Sequence, residues 1–397
     1  MKIRVAVIFG GRTCEHDVSI ISGLQAAGAL NREAYDVIYV YIDRDGKWYT
    51  GDALKEIKFF TKFDATKAEQ VIPTGEDGRL RLLRHDPKKK LFGNAGMEIA
   101  AEADVVLPVM HGMNGEDGSL QGMLEMFNVP YTSAGVMGSA VGMDKISMKL
   151  LFKGCGFPVV EGTWFDRDAW ATDKEKICEE CEAKLGYPMF VKPANLGSSI
   201  GISRAKDRDG LEEAIDTACA YDRRILVEKG VDNLREVNCS VLGYGKEIRA
   251  SVLEMPISSA EFLDFADKYQ RGGKGGGKGM ESLTRRIPAP IGDELTQKVK
   301  DLAIAAFKAM DLKGVVRIDF ILDEHDNVYI NEANTIPGSL SFYLWEPEGV
   351  SFAGLLDEMI NHAFKANADK NWSVFSYSSS ILSNIANGGG AKGKSAR

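Results

Sequence analysis

The stretch that decides the fold is "GVVRIDFILDEHDNVYINEAN", residues 314–334. Two apolar runs flank the polar segment "DEHDN", and this pattern predicts two antiparallel strands joined by a turn. If the turn is centred between His325 and Asp326, the numbers of paired residues have a constant sum. This register places Asp319 directly opposite Glu332.

The same register gathers polar groups on one face of the strand pair. Arg317 lies opposite Asn334, Ile321 lies opposite Ile330, and side chains two residues apart on a strand share a face. The face therefore carries four polar side chains: Arg317, Asp319, Glu332 and Asn334. The positions between them are apolar, which is typical of an interior strand, and buried charges need a function.

Two carboxylates and an amide are oxygen ligands of the kind that Mg²⁺ prefers, together with substrate phosphates. Arg317 beside them would hold a second anionic group. The alternative is a solvated hairpin with exposed charges, which the apolar pattern of the strand does not favour. The segment thus predicts a magnesium site formed by Asp319, Glu332 and Asn334.

A second stretch, "VKPANLGSSIG", predicts a phosphate site of unusual order. A strand delivers Lys192, Pro193 ends the strand, and a loop of small residues follows, whose backbone N–H groups suit phosphate oxygens. The lysine precedes the glycines, so the stretch matches neither the P-loop nor the dinucleotide fingerprint.

Gly10 and Gly11 after the first strand lack a third glycine, which disfavours a nicotinamide-dependent oxidoreductase.

Composition excludes several classes of protein. A length of 397 residues predicts two or three domains, and a net charge of −8 argues against a nucleic-acid binder. No apolar run approaches the roughly 18 residues of a membrane span. The apolar part of "MKIRVAVIFGG" is too short for a signal peptide, so we expect a first strand and a cytoplasmic protein.

A C-x-x-C pair, Cys178 and Cys181, lies in an acidic stretch with a helical pattern. The sequence offers no second pair to complete a zinc site. We interpret the two cysteines as thiols on a helix of a protein in a reducing compartment.

The order of predicted elements indicates a mixed architecture. Strands and helices alternate at first, which predicts an α/β unit with a parallel sheet, and a strand-rich α+β region follows. The Gly- and Lys-rich segment "FADKYQRGGKGGGKGM" predicts a lid that excludes water, with a plain surface loop as the alternative. The predicted units are an N-terminal α/β domain at 1–142, a central subdomain at 143–240, a C-terminal subdomain with the lid and the metal site at 241–366, and a flexible tail at 367–397.

Eight motifs in order carry a resemblance to a known family: "IFGGRTCEHDVS", "MHGMNGEDGSLQGML", "MDK", "VKPANLGSSIG", "VEK", "DKY", "RIDF" and "NEANTIPG". In this order they resemble the D-alanine–D-alanine ligases of the ATP-grasp superfamily, over nearly the whole chain to about residue 365. The resemblance implies a three-domain ATP-grasp fold. The stretch between Gly46 and Ala103 is similar to the longer members, which include D-alanine–D-lactate and D-alanine–D-serine ligases.

The resemblance also implies roles for individual residues in binding ATP and metal. Lys145 and Lys192 match lysines on strands that reach the phosphates of ATP. Glu228 and Lys229 match the segment that hydrogen-bonds adenine, and Glu236 matches the carboxylate that holds the ribose. The ligands implied for two Mg²⁺ ions, or for Mn²⁺, are Asp319, Glu332 and Asn334.

Further matches concern the reacting groups. Glu15 matches the residue that orients the first D-alanine through its ammonium group, with an N-terminal helix charge as the alternative. Ser198 and Tyr269 match its partners. The groups implied around the acyl phosphate and the oxyanion are Lys268, Arg317 and the backbone N–H of Gly338. We interpret His111 either as a helix cap or as a substrate contact.

The implied reaction joins two D-alanines through an acyl phosphate, with ATP as the phosphate donor, to give D-alanyl-D-alanine for peptidoglycan synthesis. The implied partners are D-alanine and ATP, without nucleic acid or membrane, and the family implies a homodimer. The chain departs from the family after "NTIPG", where Phe342 and Tyr343 stand in place of the usual hydroxyl for the second substrate. Ser339, Ser341 or the hydroxyl of Tyr343 could replace it.

This departure leaves alternatives for the function. Another acceptor, such as D-serine, D-lactate or another amino acid, would keep the same first step. A further alternative is an ATP-binding module without catalysis, which the convergence of Arg317 with three metal ligands disfavours.

Overall fold

The computed structural model describes residues 2–85, 98–197, 199–257, 285–376, 379 and 382–383. Three predicted site residues, Ser198, Lys268 and Tyr269, lie outside these residues, as do the predicted lid and most of the predicted tail. None of the helices in the described ranges has the length and apolar character that a membrane crossing requires.

The N-terminal part of the chain forms a seven-stranded sheet. Its strands are β1 (Ile3–Gly10), β2 (Tyr35–Ile42), β3 (Trp48–Thr50), β4 (Glu69–Glu76), β5 (Arg79–Arg84), β6 (Ile99–Ala103) and β7 (Val105–Pro108), in the spatial order β6-β5-β4-β3-β2-β1-β7. β1 is fully buried from Val5 to Phe9 and pairs in parallel with β2 and β7. The remaining pairs are antiparallel, so the parallel sheet expected from the sequence is one half of a mixed sheet.

The antiparallel half begins with the hairpin of β2 and β3. Asp43 N–H donates to the Lys47 carbonyl at 2.9 Å, which closes the Asp-Gly turn between β2 and β3. β4, β5 and β6 then extend the sheet through a stretch whose polar, weakly periodic sequence did not predict individual strands. Aromatic packing stabilises this half of the sheet. The ring centroid of Tyr41 lies 5.0 Å from that of Phe60 and 5.0 Å from that of Phe63.

Helices cover the N-terminal sheet and lead out of it. They are α1 (His16–Ala29), the short α2 (Ile57–Thr61), α3 (Ser119–Met126) and α4 (Val136–Met143). Val105 and Leu107 of β7 join one apolar cluster, and Val106 between them joins another, because alternate residues face opposite sides of the sheet. The loops after β1 and β7 therefore leave the sheet side by side at the carboxyl ends of parallel strands.

The central part is a four-stranded sheet packed on helices. It comprises α5 (Lys145–Gly154), β8 (Gly162–Asp166), α6 (Arg167–Thr172), α7 (Lys174–Leu185), β9 (Met189–Pro193), β10 (Ser203–Ala205), α8 (Arg208–Tyr221) and β11 (Arg224–Lys229), with strand order β10-β9-β11-β8. Cys178 and Cys181 are buried on α7, and burial raises the pKa of both thiols. The interpretation of this pair as helix core is consistent with that position.

The C-terminal part is a five-stranded antiparallel sheet. It comprises β12 (Arg235–Tyr244), β13 (Glu247–Pro256), β14 (Arg285–Arg286), α9 (Asp293–Ala309), β15 (Gly314–Leu322), β16 (Val328–Asn334) and α10 (Phe352–Trp372), with strand order β14-β13-β12-β15-β16. β12 spans the boundary predicted at residue 240, and the change of sheet lies between Lys229 and Arg235. α10 continues past residue 366 into the region predicted as tail.

Candidate functional site

The predicted register of β15 and β16 is confirmed at the four polar positions. Asp319 pairs with Glu332, and Arg317 pairs with Asn334. The predicted pairing of Ile321 with Ile330 is wrong, because Ile321 pairs with Tyr329.

The difference has a local cause. Leu322 pairs with Val328, so the turn is centred on His325, with Asp326 at a φ of +61°. The register then shifts between Asp319 and Phe320, which leaves Asn331 as an extra residue in β16. The bulge compensates for the shifted turn and brings Glu332 back opposite Asp319.

Three of the four side chains contact one another directly. Arg317 Nε and Nη2 each donate to a carboxylate oxygen of Asp319 at 2.7 Å, and Asn334 Nδ2 donates to Asp319 Oδ2 at 3.0 Å. Burial raises the pKa of Asp319 to about 6, with Glu332 adding to the rise and Arg317 opposing it. The two acids of this row therefore lie close together in a buried place, with Arg317 as the cation that pairs with Asp319.

This donor set fits Mg²⁺. Asp319, Glu332 and Asn334 offer two carboxylates and one amide oxygen, which is the small protein share expected when nucleotide phosphates complete the coordination of the ion. No group of three or more His, Cys, Asp and Glu side chains suited to a metal occurs in the described part of the chain. A cage built only from protein is therefore absent there, and a site shared with phosphates is the arrangement that these residues suit.

Lysines approach this row from the central part. Lys145 Nζ lies 3.4 Å from Glu332 Oε2 and donates to the Leu196 carbonyl at 2.6 Å. Lys192 Nζ donates to Asn331 Oδ1 at 3.3 Å and lies 2.5 Å from Glu228 Oε2. Lys192 lies on β9 as predicted, but the prediction of Lys145 as a strand lysine is wrong, because Lys145 begins α5. A narrow cavity between the central and C-terminal parts is lined by Lys192, Glu228, Lys229 and Ile321 among others.

Glu15 occupies the opposite end of the site, at the start of α1. The residue is 8% exposed. A Cβ atom at Gly112 would lie 2.7 Å from Glu15 Oε2, and one at Gly197 would lie 2.9 Å from the same oxygen. The carboxylate is therefore enclosed by glycines of two loops, one after β7 and one after β9, which brings three chain segments to one point.

Glu116, to which the sequence analysis assigned no role, holds the loop after β16. Glu116 Oε2 accepts from Gly112 N–H at 2.7 Å, and Glu116 Oε1 accepts from Ile336 N–H at 2.9 Å. Burial raises the pKa of Glu116 to about 8, and the nearby Glu15 adds to the rise. The acid was visible within "MHGMNGEDG", but nothing in the sequence indicated its partner in the C-terminal sheet.

His111 contacts the other backbone group of Ile336, its carbonyl. Burial lowers the pKa of His111 to about 4, so the ring is neutral. In the tautomer that satisfies both contacts, Nδ1 donates to the Ile336 carbonyl at 2.8 Å and Nε2 accepts from the Ser22 hydroxyl at 2.9 Å. His111 therefore positions the loop that carries Gly338, a role that neither alternative from the sequence described.

Two family models match almost the entire chain. The model described as "D-ala D-ala ligase N-terminus" matches residues 4–134, and "D-ala D-ala ligase C-terminus" matches residues 151–361. The chain belongs to the D-alanine–D-alanine ligase family.

Curated relatives of this ligase family match over nearly full length. A D-alanine–D-alanine ligase of Thermosipho africanus is 39% identical over 383 residues, which are 96% of this chain and 98% of that protein. One from Bacillus velezensis is 38% identical and covers 91% of this chain and 98% of its own.

Solved structures agree in fold. The D-alanine–D-alanine ligase of Coxiella burnetii superposes with a TM-score of 0.77 at 25% identity, covering 98% of this chain and 99% of its own. The D-Ala:D-Ser ligase VanG of Enterococcus faecalis gives a TM-score of 0.74 at 28% identity, with 91% and 100% coverage. The ATP-grasp fold predicted for this chain is thereby confirmed.

The loop that departs from other ligases is well packed. Ser339, Leu340 and Ser341 have positive φ values of 49°, 53° and 49°, so the chain makes a left-handed turn directly after Gly338. Non-glycine residues adopt this conformation at a cost, which locates strain beside the site. Ser339 Oγ donates to Gln25 Oε1 at 2.8 Å.

The hydroxyl of Tyr343 already has an acceptor in the protein. It donates to Glu254 Oε1 at 3.0 Å, and Asn238 Nδ2 donates to the same oxygen. The Arg285 guanidinium lies 4.1 Å from the ring centroid of Tyr343 and 3.1 Å from Glu254 Oε2. Tyr343 was one candidate for the hydroxyl that binds the second substrate. Its hydroxyl is instead engaged in a buried cluster of protein groups.

The structure brings seven of the predicted site residues into one network, namely Lys145, Lys192, Glu228, Arg317, Asp319, Glu332 and Asn334. Lys229 and Glu236 are exposed, at the ends of neighbouring strands. Gly338 follows the row in the loop after β16, and Glu15 lies in the loop between β1 and α1. The roles predicted for all of these residues remain predictions.

Proposed function

We propose that this chain is an ATP-dependent ligase that joins two molecules of D-alanine. A carboxylate oxygen of the first attacks the γ-phosphorus of ATP, and ADP leaves. The amine nitrogen of the second attacks the acyl carbon, gives up a proton, and phosphate leaves with the bonding electrons. The product, D-alanyl-D-alanine, would serve peptidoglycan synthesis.

The observation that carries this proposal is the polar row on β15 and β16 with lysines facing it. Asp319, Glu332 and Asn334 lie side by side. Lys192 on β9 and Lys145 at the start of α5 reach the same place. Alternating acids and ammonium groups in a cleft between two sheets suit a polyphosphate with its cations. An apolar ligand would find no comparable complement there.

The residues divide into two sets by charge. We infer that Lys145 and Lys192 bind phosphate oxygens, and that Asp319, Glu332 and Asn334 hold two Mg²⁺ ions, or Mn²⁺ in their place. The ions would neutralise phosphate charge and polarise the phosphorus being attacked. Lys229, Glu228 and Glu236 at the neighbouring strand ends are our candidates for the adenosine.

The remaining residues act on the amino acids. Glu15, enclosed by two loops, would bind the ammonium group of the first D-alanine. Arg317 is held rigidly by Asp319 and would stabilise the oxyanion together with the backbone N–H of Gly338. The clamp of Glu116 and His111 on Ile336 fixes the loop that presents this N–H group.

The test is turnover with defined amino acids. Purified protein with ATP, Mg²⁺ and D-alanine should release ADP and phosphate and give a product with the mass of D-alanyl-D-alanine. L-Alanine is the matched control and should give neither. Absence of ADP release with D-alanine alone, but turnover with another pair of amino acids, would contradict the choice of substrate.

A second candidate is a ligase whose acceptor is D-serine. It is favoured by one observation: VanG, a D-Ala:D-Ser ligase, shares the fold at 28% identity. It also agrees with the expectation from the resemblance that Phe342 and Tyr343 depart from the family pattern. Competition between D-alanine, D-serine and D-lactate as acceptors, read by product mass, decides between them. ATP binding without turnover on any acceptor would instead identify a binding module.

We further infer a cytoplasmic homodimer, because ATP and reduced thiols are found in the cytoplasm and the family implies a pair. Sedimentation velocity on the purified protein measures the mass in solution. A monomer at micromolar concentration would contradict the second part of this inference.

A further inference from the structure

A buried triad of charges lies behind the nucleotide cleft. Glu228 is flanked by two ammonium groups: Lys149 Nζ lies 2.6 Å from Oε1, and Lys192 Nζ lies 2.5 Å from Oε2. The side chains of Lys149 and Glu228 are only 8% and 3% exposed. Burying an ion this deeply is costly, so the arrangement requires either strong pairing or a function.

The fold positions the triad from three elements. Lys192 on β9 and Glu228 on β11 share one face of the central sheet, since Leu226 pairs with Lys192 and lies two residues from Glu228. Lys149 comes from α5, one turn after Lys145, so the two lysines share one face of the helix. Ile146 packs against Leu226 and seats the helix on the sheet.

The charges of the triad do not cancel. Burial alone would raise the pKa of Glu228, but Lys149 and Lys192 lower it to about 2, so the carboxylate is ionised. Burial lowers the pKa of Lys149, and the neighbouring Glu228 opposes that fall. With both lysines protonated, one carboxylate between two ammonium groups leaves a surplus of one positive charge. Without Lys149, Glu228 would neutralise Lys192 alone, and the pair would present no net charge to a phosphate.

We propose that Lys149 is a positioning residue that shares Glu228 and so keeps Lys192 available to the phosphates of the nucleotide. This inference rests on the proposed function only in that Lys192 faces the phosphates of ATP. Lys149 itself lies behind Glu228, so it acts through that residue. Nothing in the sequence predicted this role, because the position of Lys149 is typical of an ordinary lysine on an amphipathic helix.

The experiment compares the affinities for ATP and for adenosine by calorimetry, because their ratio isolates the phosphates and cancels contacts with the base. K149M reduces the charge of the triad to zero, and we expect this ratio to fall about tenfold or more. K149R keeps the charge and should stay within about threefold of the wild type. K153M, which removes an exposed lysine one turn further along α5, should leave the ratio unchanged.

A rescue variant separates charge from packing. The double variant K149M/E228Q restores the surplus of one charge, since Lys192 then faces a neutral side chain, and its ratio should return close to that of the wild type. A ratio as low as that of K149M would show that Lys149 acts through packing, and the proposal would be wrong. A ratio in K149M within twofold of the wild type would overturn it as well.

The same titrations separate this proposal from the proposed function. ATP binding by the wild type without ligation of any amino acid would contradict the ligase, while the ratios would still decide on Lys149. Failure of the wild type to bind ATP would overturn both.

Discussion

The polar row of Arg317, Asp319, Glu332 and Asn334 and the clamp on Ile336 lie close together in the chain but are built in different ways. In the polar row, Asn334 donates a hydrogen bond to Asp319 across a separation of 15 residues. In the clamp, Glu116 and His111 bond Ile336 across separations of 220 and 225 residues. The first is a product of two neighbouring strands, and the second depends on the docking of separate parts of the chain.

The polar row and the clamp should therefore respond differently to substitution. The strand pair keeps its register by itself, because side chains on one face must stay together. The clamp exists only while the loop after β7 and the loop after β16 remain in contact. Variants in the row should therefore act on chemistry, whereas variants in the clamp should act on geometry and stability together.

The largest effect is expected from Asp319→Asn. The change removes one of the two acids of the row, and we expect turnover to fall by about a thousandfold or more. Steady-state release of ADP, with Mg²⁺ varied, measures it. E324Q in the exposed turn of the same strand pair is the control and should keep full activity. Unchanged turnover in D319N would remove the proposed metal role.

The next effect is expected from Glu116→Gln. The amide offers a single acceptor oxygen, so one of the N–H groups of Gly112 and Ile336 loses its partner. We expect about tenfold to hundredfold lower kcat, since the Gly338 loop loses its support. Combination with H111Q tests the clamp. Because both residues hold the backbone of Ile336, the losses of kcat in the double variant should be less than additive. Fully additive losses would show that they act independently.

The clamp also predicts a dependence of stability on pH. The pKa of Glu116 is near 4.5 in an unfolded chain and about 8 in the fold, so the folded state binds more protons between these values. The free energy of unfolding should therefore fall as pH rises from about 5 to 8. Denaturant titrations of wild type and E116Q measure this, and the decline should be weaker in the variant. Parallel curves would contradict the raised pKa.

The smallest effect is expected from Tyr343→Phe. The change removes the hydroxyl that donates to Glu254 but keeps the ring under Arg285, so it should cost about 1 kcal/mol of stability. The KM for the acceptor should change less than about threefold, because this hydroxyl is engaged within the protein. A rise of tenfold or more would assign the hydroxyl to the second substrate.

The contacts that the sequence predicted correctly join residues that lie close together in the chain. The alternation of apolar and polar residues from Val315 to Asn334 predicted the facing of Asp319 and Glu332, although the turn was placed half a residue away. The structure kept that facing because the bulge at Asn331 compensates for the turn. β4, β5 and β6 were missed as individual strands, since a half-exposed sheet edge with polar residues has weak periodicity.

The sequence alone predicted the groups that can meet through local geometry: a lysine at the end of a strand, two acids opposite each other on one face, and an amide opposite an arginine. Strand periodicity fixes these, whatever the rest of the chain does. Only the tertiary structure decided that Glu228 stands between Lys149 and Lys192, and that Glu116 and His111 hold Ile336. Such contacts arise when separately formed surfaces pack together, and no period in the sequence encodes which surfaces will touch.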